Sequence, residues 1–100
     1  MNMLHEFLEK FQEQTDIYGE PVYDIRIESA GEISVYPENG TQMVRVDDQH
    51  FLVTQIILFS DSINFYMNER IIWTCEYDEI DQYSIDRDII YILRKKKIIT

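Results

Sequence analysis

Between residues 76 and 97 the chain interleaves carboxylates with tyrosines, at Glu76, Tyr77, Asp78, Glu79, Asp81, Tyr83, Asp86, Asp88 and Tyr91. It then turns abruptly basic at Arg94, Lys95, Lys96 and Lys97. Carboxylates pair with lysine and arginine, and tyrosine adds rigid apolar area with a hydroxyl at small entropic cost. The chemistry on offer is recognition of a cationic surface. We read Glu76, Tyr77, Asp78, Glu79, Asp81, Tyr83, Asp86 and Asp88 as the partner-binding residues, with the acids as anions and Tyr77 and Tyr83 as anchors. The alternative is a solvated segment whose tyrosines pack inward.

Other residue types that do chemistry are thinly spread. Cys75 is the one cysteine, so neither an internal disulfide nor a cysteine-rich zinc site can form. It lies in an apolar run where a packed thiol is expected, far in sequence from both His5 and His50. Asp47, Asp48 and His50 fall in one short segment, too few and too local to close a metal shell. Asp78 and Asp81 could serve acid/base work, yet no Gly-rich phosphate loop or HExxH pattern accompanies them. The expectation is a protein that is not an enzyme and needs no metal or other cofactor.

Nineteen acids against nine bases give a net charge of −10, and four of the bases sit together at 94–97. Residues 1–93 thus carry nineteen acids and five bases, a formal −14. Such a field repels nucleic acid and anionic lipid and accelerates association with basic proteins. This composition is similar to that of small acidic α+β proteins that neutralise basic nucleases, immunity-type inhibitors, or that mimic the charge of DNA; the likeness is one of composition and not of motif. A basic protein partner is therefore expected, with neither direct nucleic-acid binding nor a membrane role. The alternative is a structural or assembly protein acting as a homo-oligomer, such as a homodimer, its acidity serving solubility. With no 18-residue apolar run, no basic leader and a single thiol, the expected location is cytoplasmic.

The elements that position these groups follow from hydrophobic period. One hundred residues, 45% hydrophobic, make a single domain over 1–100. Leu4, Phe7, Leu8 and Phe11 recur at helical spacing, predicting an amphipathic helix over 2–14. From residue 22 the period becomes two. Tyr23, Ile25 and Ile27 define one strand, and a loop at 28–32 aligns Ile27 with Ile33. Asn39-Gly40 predicts a two-residue hairpin that places Val35 opposite Val44 and Ile33 opposite Val46. A four-residue loop over 47–50 then sets Phe51 against Val46 and Val53 against Val44. The segment 56–59 is apolar on both faces, which suggests a central strand or a contact with a second layer. Asn68-Glu69 predicts a turn between strands through Phe65 and Trp73.

Ser84 is placed to cap a closing helix, with Asp86 and Asp88 in its first turns and the bases of 94–97 in its last, an order that suits the helix dipole. A strand through Ile89 and Leu93 is the competing assignment. The predicted architecture is α+β: an antiparallel meander of about six strands under the N-terminal helix, with a short C-terminal helix.

Overall fold

The computed structural model describes residues 2–96 and is an α+β fold with an N-terminal helix and nine strands. Helix α1 (Met3–Glu13) starts where the Asn2 side chain accepts the His5 backbone N–H at 3.3 Å. Its apolar stripe buries Phe7 and Phe11 completely or nearly so, as the spacing predicts. Five strands form one antiparallel sheet: β1 (Tyr23–Ile27), β2 (Ile33–Pro37), β5 (Gln55–Leu58), β6 (Ser62–Met67) and β7 (Arg70–Glu76), in the order β1-β2-β5-β6-β7. The other four form a second sheet in the order β4-β3-β9-β8. They are β3 (Gln42–Val46), β4 (Gln49–Val53), β8 (Ile80–Ile85) and β9 (Ile90–Arg94).

The inner faces of both sheets join α1 in one core. Val35, Ile56, Leu58 and Phe65 come from the first sheet, and Val44, Val46, Ile90 and Ile92 from the second. On one side α1 bridges the sheets, with Phe11 edge-on to Tyr23 of β1 and Phe7 against Tyr83 of β8. Elsewhere Phe51 of β4 closes the core against Phe65 of β6 and stacks on Trp73 of β7. Apolar burial of this kind contributes about 1.5–3 kcal/mol per large side chain, so it outweighs any single turn or charge preference.

That imbalance explains three corrections to the sequence reading. The Asn39-Gly40 hairpin does not form, and with it the meander disappears. Gly40 has φ +97 but Asn39 is absent from the positive-φ residues, whereas a hairpin-forming turn of that kind needs both. Instead the Gly40 N–H donates to the Pro37 carbonyl at 3.0 Å, and the chain crosses between sheets. Val35 pairs with Ile56 rather than Val44, and Val44 pairs in parallel with Ile90. The tight turn with two left-handed residues is at Asn68 and Glu69 (φ 49 and 70), as the sequence suggests for that position.

The second correction is the C-terminal helix. Residues 80–85 and 90–94 are paired strands, joined by a turn at 86–89 in which the Asp88 N–H donates to the Asp86 side chain at 2.8 Å. Ile85, Ile90 and Ile92 alternate into the core. A charge near a helix end contributes only about 0.3–1 kcal/mol, less than burying one isoleucine. Lys97, read as the last residue of that helix, lies outside the described residues.

The third concerns register. A two-residue turn at Asp47 and Asp48 replaces the four-residue loop, so Phe51 pairs with Val44 and Val53 with Gln42. The shift is by two, which preserves the face each side chain occupies. By contrast the β1-β2 register, Ile27 with Ile33, is as predicted. Asp47 adopts φ 56, and its carboxylate accepts the Arg94 backbone N–H at 2.9 Å and Nε at 2.8 Å. Donation from Arg94 holds the Asp47 carboxyl below the usual carboxylate range.

A group with a depressed folded pKa stabilises above its unfolded value, near 3.9, and that contribution is lost as pH falls through the folded value. Asp47→Asn keeps a residue that tolerates the left-handed turn but removes the charge. It is expected to cost about 1 kcal/mol at pH 7, a figure reduced for the pair's partial exposure. The difference from wild type closes below pH 4. Urea unfolding at the two pH values checks this, and a gap that does not change with pH would contradict it.

Candidate partner-binding surface

Tyr77 and Tyr83, the two tyrosines read as anchors, point inward, whereas Tyr91 alternates with the buried Ile90 and Ile92 and lies under Arg45. Tyr77 opens a 3-10 turn, Tyr77–Glu79, in which the Glu76 N–H donates to Glu79 Oε1 at 3.1 Å. Tyr77 is 9% exposed, its ring packs 5.6 Å from the Phe7 ring, and its hydroxyl donates to the Phe59 carbonyl at 2.6 Å. Tyr83 is half-buried, its ring 4.5 Å from Phe7 and its hydroxyl donating to the Glu6 carboxylate. Burial pushes both phenols above their ordinary range, with the charge of Asp61 adding to it at Tyr77 and the bond to Glu6 at Tyr83. Tyr77 and Tyr83 therefore seat α1 and do not present themselves as anchors to a partner. The physical cause is the gap beneath the helix, which large rings with satisfied hydroxyls fill.

The acids do face solvent, but the fold divides them. Glu76, Asp78 and Asp81 are exposed around the start of β8, and Asp86 and Asp88 are exposed after its end. With about 3.3 Å of rise per residue, a six-residue strand separates the groups by roughly 17 Å. Among the described residues none of these five has a cation within 4.0 Å, while Glu79 lies 3.9 Å from Arg94.

The two ends differ in electrostatic character. At the start of β8, Asp78, Glu79 and Asp81 share an open groove of about 970 Å³ with Arg94, Lys95 and Lys96. Arg94 crosses this region, paired with Asp47 at 2.8 Å and lying over the Trp73 ring. The field there is mixed. Beyond the end of β8 a cavity of about 320 Å³ collects Asp16, Glu38 and Asp88, with Arg87 the one base among the described residues that line it. That end is predominantly anionic.

Sequence reasoning missed the exposed aromatic of this protein. Ile17 and Tyr18 are 80% and 83% exposed on the loop that follows α1. The Asp16 side chain accepts the Tyr18 N–H at 2.8 Å and the Glu20 N–H at 3.0 Å, and the Asp16 carbonyl accepts the Gly19 N–H at 3.1 Å. The signal lay in Asp16 followed three residues later by Gly19, a turn motif around two large apolar residues that the helical stripe has no use for.

The remaining candidates have structural surroundings. Cys75 is buried, and burial pushes its thiol up to about 11, so it stays protonated at neutral pH and a poor nucleophile. Asp47 is engaged by Arg94, and His50 is exposed on β4. Among the described residues no three His, Cys, Asp or Glu side chains are grouped to hold a metal ion, and no helix is long and apolar enough to cross a membrane. Compared with protein-family models, curated proteins and solved structures, the chain finds no match.

Proposed function

We propose that this is a non-catalytic acidic binding protein that neutralises a basic partner, a nuclease or nucleic-acid-binding protein, inside the cytoplasm. Supporting this reading above all is the state of its carboxylates: five acids at the end of β7, on the edge strand β8 and in the turns that flank it are exposed, with no cation of the described residues spent on them. Exposed carboxylates of that kind steer a cationic protein from a distance and cover its anion-binding face on contact. Charge along an edge strand also discourages pairing with another sheet.

Affinity capture from host lysate, followed by association kinetics with the captured protein, tests the function. A basic protein is expected to bind at low salt and weaken as salt rises. Reversing charge in D78K/E79K/D81K or in D86K/D88K should slow association by about tenfold at low salt and flatten its salt dependence. An unchanged rate in both variants, or capture of no basic protein, overturns the assignment. A homodimer is the second reading, favoured by Leu52, Ile71 and Ile72, which are exposed on the edge strands β4 and β7. A dimeric mass independent of salt would support it.

A further inference from the structure

Beside the cavity at the far end of β8, the structure combines three features that are distant in sequence. The first is the loop at 16–20, whose backbone is tied to the Asp16 side chain and which carries the two most exposed large apolar residues of the described chain, Ile17 and Tyr18. Holding such a loop in shape before contact removes an ordering cost that a flexible one would incur on binding. The second is the cavity itself, of about 320 Å³, with Pro21, Val22 and Pro37 giving apolar wall and Asp16, Glu38 and Asp88 giving charge. The third is the floor. Tyr23 donates its hydroxyl to Gln42 Oε1, and Gln42 Nε2 donates to the Met43 carbonyl at 2.9 Å and the Asp86 carbonyl at 3.4 Å. Those buried polar groups are already satisfied, so the floor holds its shape without an occupant.

This combination suits one kind of ligand. A lysine or arginine side chain has an aliphatic stem that prefers apolar wall and a cationic head that prefers carboxylates. Three acids against Arg87 leave the lining net negative, and Arg87 is exposed with no carboxylate within 4.0 Å among the described residues. Outside the cavity, Ile17 and Tyr18 offer the amphipathic and aliphatic area from which interface hot spots are made.

Resting on the binding function proposed above, we infer that this is the docking point for the basic partner protein: one of its arginine or lysine side chains enters the cavity between Asp16, Glu38 and Asp88, while Ile17 and Tyr18 pack against apolar residues flanking it. The tyrosine that meets the partner is then Tyr18, and the binding face lies at the Asp86 and Asp88 end of β8 rather than around Asp78.

A capped Leu-Arg-Leu peptide, titrated at low salt into the isotope-labelled protein, tests this by amide chemical shifts. Saturable shifts are expected at residues 16–20, 38–39 and 87–88, and the same peptide with citrulline for arginine should bind about tenfold more weakly, as loss of a cation that meets three solvent-exposed or partly exposed carboxylates requires. I17S/Y18S, two exposed substitutions that leave the core intact, should weaken the arginine peptide about tenfold. E38K/D88K should abolish the shifts. Saturable shifts confined to residues 76–81 would overturn the docking site while leaving the binding function standing. Equal binding of the citrulline peptide would overturn the cation in the cavity. With no arginine-dependent shifts anywhere, and no basic protein captured from lysate, both readings fall.

Discussion

Phe7→Ala is expected to lower the unfolding free energy by about 3–5 kcal/mol, the usual cost of truncating a fully buried phenylalanine. Phe7 is 0% exposed and is the ring on which Tyr77 and Tyr83 both rest, at 5.6 and 4.5 Å. Its loss leaves a cavity under α1 that two neighbouring phenols cannot close. Tyr77 is held by its bond to Phe59 and Tyr83 by its bond to Glu6 on the helix itself. Since a domain of this size has only about 5–15 kcal/mol in total, the variant should be close to unfolding at 37 °C. Urea denaturation followed by circular dichroism measures the loss. The half-buried Leu4, replaced by alanine, should cost clearly less. A loss below about 1 kcal/mol at Phe7 would mean that α1 does not dock on the two tyrosines.

Alkaline conditions are expected to produce the second large effect. Burial is the first cause of a raised pKa at Cys75, Tyr23 and Tyr77, with Asp86 contributing at Tyr23 and Asp61 at Tyr77. A group with a raised folded pKa contributes stability that is complete below its unfolded value and is lost as pH rises towards the folded one. Unfolded thiols ionise near pH 8.5 and phenols near 10. Stability should therefore start to fall above about pH 9 through Cys75, by about 1.4 kcal/mol per pH unit until its folded value near 11 is reached. Above about pH 10, Tyr23 and Tyr77 add about 2.7 kcal/mol per unit. Tyr83 is raised too, but its ring is partly solvated and its share smaller. Urea midpoints at pH 8, 10 and 11 check the slope, and Tyr77→Phe should flatten its upper part. A midpoint constant over that range would show that these groups are not protected by the fold.

The docking of Tyr77 and Tyr83 also marks where the sequence stops being informative about the binding surface. Their alternation with carboxylates is legible, and the exposure of Glu76, Asp78, Asp81, Asp86 and Asp88 follows from the cost of burying charge. Which way the rings turn depends on Phe7, seventy residues away in sequence and adjacent in space. Tyr18 shows the converse. Only Asp16 and Glu20 flank it rather than a longer acidic run, so it does not stand out in the sequence, yet it is 83% exposed on its loop.

Local pattern by itself determined α1, the strand at Tyr23–Ile27 with its register against Ile33–Pro37, the turn at Asn68 and Glu69, and the inward side chains Ile33, Val35, Val44, Val46, Val53, Ile63 and Phe65. These are decided by hydrophobic period and by backbone sterics within a few residues. Only the tertiary structure decided that β2 and β3 part into different sheets, that β9 lies parallel to β3, and that residues 85–94 are strand and turn rather than helix. The reason is that a strand's ladder of N–H and C=O groups is the same for every sequence. Period two says which side chains seek a core, and the choice of neighbouring strand falls to whichever arrangement buries Val35, Val44, Ile90 and Ile92 together.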